Sequence, residues 1–334
     1  MDRPLEDIGF YTLSDERART ASATSPLQRC ELILTSACNF KCPYCRHAKE
    51  GYERTLPLDE AKKVIDLWSD HELKNVRLSG GEPTLWPWLP QLVEYCYNSW
   101  IERIAISTNG SANFGLYEYL VEKGANDFSI SFDACYSSTA SKMAGTEGIY
   151  EKIVENIRAL SRLTYVTVGV VLTDTNLPEL SDIITMASEL GVADIRIISA
   201  AQDNKALGKL ELPEELLAKH PILRYRSERL FDVRGIKEED SHRCHLALDD
   251  MAVAAGYHFP CIIYMREHGE PIDRLESEGF TMKSCTSDGK FLDIREHRAQ
   301  WVEKHDTHKD PICRNNCLDV CVEYNNRCRK LQDT

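Results

Sequence analysis

The sequence predicts an α/β protein, a partial (β/α)6 barrel of the TIM type followed by a small Cys-rich domain. Three observations carry this expectation. Apolar runs alternate with helical patterns through the first 200 residues. Those runs are apolar nearly throughout, as strands of a parallel sheet covered by helices must be. Near residue 200 the alternation stops, and cysteines crowd the remainder.

Taken in order, residues 1–29 are polar and weakly periodic and read as an N-terminal extension wrapping the first domain. Strands are expected at about 31–35, 75–79, 101–107, 126–132, 165–172 and 194–199. Helices are expected at about 58–70, 87–98, 115–123, 147–162 and 178–190. Pro57, Asp59 and Glu60 mark a helix start, and Gly124 and Gly191 fall where helices should stop. These six units make residues 30–200 the barrel, with working loops at the C-terminal ends of its strands. Residues 201–239 are a charged bridge with one helix expected around 213–230, and 240–334 are the Cys-rich domain.

Composition bounds the function. Hydrophobic residues at 43% with mixed charge describe a soluble globular chain. No stretch approaches the ~20 apolar residues of a membrane span. The N-terminus has no signal-peptide core, so the expected location is cytoplasmic with no membrane partner. A net charge of −13 gives no global attraction for nucleic acid. Thirteen cysteines in such a chain point to metal or redox chemistry rather than disulfides.

Cys38, Cys42 and Cys45 lie in one short segment directly after the first apolar run. Clustered thiolates can hold an iron–sulfur cube. Three thiolates on four irons leave one iron open to a cofactor or substrate. A structural zinc site is the alternative, though zinc usually takes four ligands and no fourth cysteine lies nearby.

The Cys-x-x-x-Cys-x-x-Cys spacing, with Tyr44 before the last cysteine, resembles the signature of the radical S-adenosylmethionine (radical SAM) superfamily. The resemblance implies that the open iron of a catalytic [4Fe–4S] cluster chelates S-adenosylmethionine (AdoMet). Reductive cleavage of AdoMet then yields a 5′-deoxyadenosyl radical that abstracts a substrate hydrogen atom. It also implies an electron donor such as flavodoxin or ferredoxin. Gly80-Gly81-Glu82-Pro83, after the second strand, resembles the family segment that contacts the AdoMet amino group. Ser107 and Asn109 after the third strand, Asp133 after the fourth and Ile198 on the sixth resemble its ribose, carboxylate and adenine contacts.

Cys244, eleven residues, Gly256, four residues and Cys261 resemble the first half-motif of SPASM and twitch domains, which hold auxiliary [4Fe–4S] clusters. Cys285, Cys313, Cys317, Cys321 and Cys328 follow, at spacings that depart from the usual SPASM pattern. One auxiliary cluster or two are both compatible with them, and zinc is the alternative. Cys96 reads as a core residue. Cys135, after Asp133 at the barrel mouth, is a candidate hydrogen-atom donor to a substrate radical, against the ordinary reading of a small buried hydrophobe. Lys283, Arg266, His258, His297, His305 and His308 read as solvated surface.

The expected reaction class is oxidation, epimerisation, rearrangement or cross-linking of a small molecule or a single residue or base. The extension of 29 residues is too short for the leader-binding domain of peptide-modifying relatives. A ribosomal-peptide-modifying enzyme, a nucleic-acid or nucleotide base-modifying enzyme, and a non-catalytic electron carrier or redox sensor stay open as alternatives.

Overall fold

The structure is a computed structural model. It describes residues 3–70, 72–202, 212–228, 233–274, 284–285, 291–292 and 294–332, with side chains not described at 273–274, 284–285 and 291–292. After α1 (Asp15–Thr20), strands β1 (Arg29–Ile33), β2 (Asn75–Ser79), β3 (Arg103–Thr108), β4 (Asp127–Ser131), β5 (Tyr165–Leu172) and β6 (Asp194–Ser199) run parallel in sequence order. Between them lie α2 (Leu58–Ser69), α3 (Leu89–Asn98), α4 (Phe114–Glu122), α5 (Ser137–Ala144), α6 (Tyr150–Leu160) and α7 (Leu180–Glu189). The expected strands and outer helices are there, within a few residues of their expected bounds.

Alternation along the strands sets the two faces of the sheet. Val76, Leu78, Ile104, Ile106, Phe128, Ile130, Ile195 and Ile197 pack into one buried cluster with helix residues such as Ile65, Leu92, Leu120, Ile157 and Ile184. Each such side chain contributes on the order of 1.5–3 kcal/mol on burial. Residues of the opposite parity, among them Arg77, Ser107, Ser129, Gly169 and Arg196, face the inside of the barrel.

Three features differ from expectation. The segment after β4 carries α5, which its Ser- and Thr-rich sequence does not announce. Its C-terminus supports the cysteine loop, because Lys41 N–H donates to Ala144 O at 2.8 Å. Gly145 then turns the chain away at φ 60°, in a place where a Cβ would meet Lys41 O at 2.5 Å. The helix expected at 213–230 is two, α8 (Glu214–Lys219) and α9 (Pro221–Glu228). Pro221 cannot continue a helix, since it lacks an N–H and clashes with the preceding turn.

The third difference is in the sheet. After α10 (Leu246–Asp249), strand β7 (Asp250–Ala254) pairs parallel with the free side of β1, Arg29 opposite Asp250. Strands β8 (Tyr257–Phe259) and β9 (Asp273–Arg274) follow antiparallel, with α11 (Ile262–Arg266) between them. The nine strands form one open sheet in the order β6-β5-β4-β3-β2-β1-β7-β8-β9. A separate pair, β10 (Ser284–Cys285) and β11 (Phe291–Leu292), precedes α12 (Ile294–Lys304), α13 (Pro311–Asn316) and α14 (Asp319–Gln332).

The N-terminal extension ties these parts together. Tyr11 Oη donates to Asp127 of β4 at 2.8 Å. Beyond it Arg17 is clamped by Asp249 at 3.1 Å and Asp250 at 2.7 Å, and Asp15 pairs with Arg327 of α14. The extension therefore bridges the barrel and the C-terminal helices rather than wrapping the barrel alone. Among the described residues no helix is long and apolar enough to cross a membrane.

His258 on β8, expected at the surface, is fully buried and accepts from Trp68 Nε1 of α2 at 3.2 Å. Burial, with Arg298 nearby, lowers its pKa from 6.5 to about 3. A group whose folded pKa is depressed stabilises the fold above its unfolded pKa and loses that contribution as the medium turns acid. Stability is therefore expected to fall as pH drops from 6.5 towards 3, and His258→Phe should flatten that part of the profile in denaturant titrations.

Candidate functional site

The loop from Thr35 to Cys45 leaves β1 at its C-terminal end and is held by the end of β2. Gly81 N–H donates to Thr35 O at 2.6 Å and Glu82 N–H to Ala37 O at 2.8 Å. This approach needs glycine. A Cβ on Gly80 would sit 2.5 Å from Thr35 O, and one on Gly81 2.3 Å from Ala37 O. Glu82 is 1% exposed and accepts from Thr108 Oγ1 and Asn109 N–H, each at 2.7 Å, and from Thr84 N–H at 3.1 Å. Burial raises its pKa, and those hydrogen bonds oppose the shift. Glu82 thus ties β2 to β3, and Pro83 is buried at the start of a 3-10 turn. Neither lines the cavity below; they position Gly81 and Asn109, which do.

Cys38 and Cys45 are exposed and Cys42 is half-buried, all as free thiols. Phe40 N–H donates to Cys38 Sγ at 3.4 Å. Burial pushes Cys42 up to about 11 and raises Cys38, and neighbouring cysteines disfavour the thiolate at both. Three free thiols on one loop suit a shared cationic cluster.

They open onto a cavity of about 250 Å³ at the C-terminal ends of the strands, lined also by Ser107, Asn109, Asp133 and Ile198. Asn109 Nδ2 donates to Asn39 Oδ1 at 2.8 Å, binding the third-strand loop to the cysteine loop. Asp133 accepts from Tyr44 Oη and, at 2.6 Å, from Val171 N–H. Burial pushes Asp133 up to about 6 against those bonds. Both arrangements present polar atoms where a nucleoside and an amino-acid group can bind.

Cys135 does not join this wall. Its Sγ lies 3.6 Å from Glu179 Oε2, on the side facing the start of α7. Burial first, then Glu179, push it up to about 11. It lines neither cavity, so the geometry does not support a hydrogen-donor role.

A second cavity of about 410 Å³ shares Tyr44, Cys45, Ser107, Val171, Arg196 and Ile198 with the first and reaches Cys261 and Cys321. Seven arginines line it against three carboxylates, Glu31, Asp250 and Glu267. Arg29 pairs with Glu31 at 3.0 Å, Arg46 with Glu267 at 2.7 Å and Arg226 with Asp319 at 2.5 Å. Arg196 has no carboxylate within 4 Å among the described residues and donates to Ser129 Oγ at 3.2 Å. Burial, and then Arg77 and Arg29, lower its pKa to about 10. Arg77 donates to Ser107 Oγ at 3.0 Å and is 3.9 Å from Asp127, with its Nε buried and unpartnered. Arg266, expected at the surface, lines this cavity and donates to Gly80 O at 2.9 Å. Motif reading misses Arg77 and Arg196, although a charge at alternating positions inside a buried strand was a usable signal.

The C-terminal cysteines converge. The β7–β8 hairpin turns on Ala255 and Gly256, at φ 51° and 83°. Two positive φ values mark a tight hairpin turn, which accounts for the glycine between Cys244 and Cys261. Cys321 lies close enough to Cys317 to oppose its ionisation, and both Cys317 and Cys313 feel Cys244 and Cys261. Burial pushes Cys244 up to about 11 and Cys261 higher. Cys328 stands apart on the buried face of α14, with Asp249 and Arg17 its strongest charged neighbours. The Cys285 side chain lies outside the described residues. Five described thiols in one place, none in a disulfide, fit a cubane or another metal site.

The model of the Radical SAM superfamily matches residues 32–187. That stretch of the barrel is a domain of the radical SAM superfamily. Its enzymes use AdoMet and a [4Fe–4S] cluster and need a reductant. A probable GTP 3′,8-cyclase of Sulfurisphaera tokodaii is 26% identical over 202 residues, covering 60% of this chain and 64% of the relative. The chain thus spans less than two thirds of that relative's length. Streptococcus suis SuiB bound to precursor peptide SuiA superposes with TM-score 0.58 at 14% identity, over 89% of this chain and 76% of SuiB. Native anSMEcpe with bound AdoMet gives 0.55 at 15% identity, over 91% and 94%. At these identities the structural likeness is one of fold.

Gly81→Ala should be costly, because backbone oxygens rather than a flexible side chain occupy the space. A loss on the order of 1–3 kcal/mol is expected in denaturant titrations, together with less iron on the cysteine loop by metal analysis.

Proposed function

We propose that this radical SAM enzyme cleaves AdoMet reductively in the smaller cavity and acts on an anionic small molecule of the nucleotide class in the larger one. The arginine excess carries the substrate assignment. Buried charges are normally paired, yet Arg196 and Arg266 face the larger cavity without a close carboxylate and Arg77 has only Asp127 at 3.9 Å, in a protein of net charge −13. A phosphorylated substrate supplies the missing charge and matches the guanidinium fork. That the relatives matched in sequence are GTP 3′,8-cyclases agrees with this reading. It favours the nucleotide alternative over a peptide substrate.

A [4Fe–4S] cluster bound by Cys38, Cys42 and Cys45, with AdoMet on its open iron, would supply one-electron cleavage and a 5′-deoxyadenosyl radical. The chain's own residues do the rest. Gly80 and Gly81 let the cysteine loop seat on β2. Ser107, Asn109 and Asp133 orient AdoMet through its polar groups, and Ile198 covers apolar surface. Tyr44, held by Asp133, stands where the two cavities meet. Arg77, Arg196 and Arg266 fix the anionic end of the substrate, so that one C–H bond faces the cofactor. Cys244, Cys261, Cys317 and Cys321 would hold an auxiliary cluster on the far wall. The reductant is of the flavodoxin or ferredoxin type, and the location cytoplasmic.

Anaerobic reconstitution with dithionite and a panel of nucleotides tests the substrate class. A nucleoside di- or triphosphate is expected to stimulate 5′-deoxyadenosine formation. Stimulation by peptides or neutral sugars instead would overturn it. Arg196→Gln should raise the substrate KM at least tenfold, as loss of a charge-assisted bond worth ~1.5–3 kcal/mol implies. Cys38, Cys42 and Cys45 changed together to Ala should remove about four irons, one [4Fe–4S] cube, and abolish AdoMet cleavage. Unchanged cleavage in that triple variant would refute the cluster assignment.

A further inference from the structure

Five described cysteines meet in the C-terminal region, and a cube needs four. Cys313 feels Cys244 and Cys261, as Cys317 does, and also has a histidine beside it. Its Sγ lies 3.4 Å from His305 Nε2. Ligand atoms of His305, Asp310 and Cys313 all lie within 4.8 Å of one another. Tetrahedral zinc, with bonds of about 2.3 Å to sulfur and 2.0–2.2 Å to nitrogen and oxygen, requires ligand atoms roughly 3.3–3.6 Å apart. The sulfur–nitrogen separation already has that value.

The local fold holds each of the three in place. Asp310 caps α13, its Oδ1 accepting Cys313 N–H at 2.9 Å, so the two side chains leave the same turn. Its other oxygen accepts from Tyr264 Oη at 3.1 Å. His305 stacks on Trp301 at 4.0 Å between ring centres, and Tyr264 meets both rings edge-on. A hydrogen bond like that of Tyr264 to Asp310 is what orients a metal-bound carboxylate, and the stack on Trp301 fixes the plane of the imidazole. A mixed nitrogen, oxygen and sulfur set suits zinc better than a soft all-thiolate cluster.

We propose that His305, Asp310 and Cys313 form a mononuclear zinc site, separate from an auxiliary cluster held by Cys244, Cys261, Cys317 and Cys321. The fourth zinc position is filled by water. The division of cysteines rests on the auxiliary-cluster reading above, whereas the three-residue site stands on its own geometry.

Metal analysis and zinc-edge X-ray absorption on the reconstituted full chain test it. Expected are about one zinc beside about eight irons, with one sulfur at ~2.3 Å and the remaining ligands nitrogen or oxygen at ~2.0 Å. His305→Gln and Asp310→Asn, the latter keeping a cap acceptor, should each lower zinc occupancy at least tenfold at limiting zinc without loss of iron. Absence of zinc, a four-sulfur zinc shell, or loss of four irons from Cys313→Ser would overturn the proposal. Zinc that depends on His305 beside only about four irons would support the zinc site and refute the auxiliary cluster.

Discussion

The site depends on one backbone contact. Thr35 and Ala37 lie against Gly80 and Gly81 so closely that no side chain fits between them. That contact fixes the cysteine loop relative to β2, and Glu82, next along the chain, carries the same rigidity to β3 through Thr108 and Asn109. On the other side, the end of α5 grips the loop at Lys41. A cluster with an open iron needs ligands that keep their places without a fourth protein ligand. Here backbone hydrogen bonds supply that constraint, which leaves the thiols and the cavity walls free for chemistry.

The inside of the barrel follows from the same alternation that builds its core. Every second strand residue is apolar and buried beneath a helix; the others must either pair or face a ligand. On β2 and β6 those others include Arg77 and Arg196, whose repulsion is only partly offset by Glu31 and Asp127. An unfilled cationic cavity is costly, and the anionic substrate proposed above would relieve that cost. On that proposal, affinity and placement share one cause.

Much of this was legible in the sequence. The strands announce themselves as apolar runs, and the cysteine spacing and the Gly-Gly pair name their own loops. What escaped depends on distant contacts. α5 is rich in Ser and Thr, and its order comes from packing against the cysteine loop. The break at Pro221 was readable but was overridden by the flanking helical pattern. The direction of Cys135 depends on Glu179, which arrives 44 positions later. Arg77 and Arg196 were visible as charges inside strands, but only the folded sheet shows that they face one cavity. Cysteine spacing alone could not separate Cys328 from the rest, because helix phase decides which thiols converge.

The placement of β7 has a consequence for how the chain acquires its shape. β1 (Arg29–Ile33) leaves the ribosome well before one of its two sheet neighbours, which begins at Asp250. Until then its outer hydrogen-bonding groups form an unprotected edge, able to pair with another chain. Closing so long a loop is slow compared with the local β–α pairings. Growing chains would therefore pass through an interval of stickiness, and a product cut short before β7 would retain it. The C-terminal region, besides carrying cysteines, acts as the strip that seals the barrel's first seam.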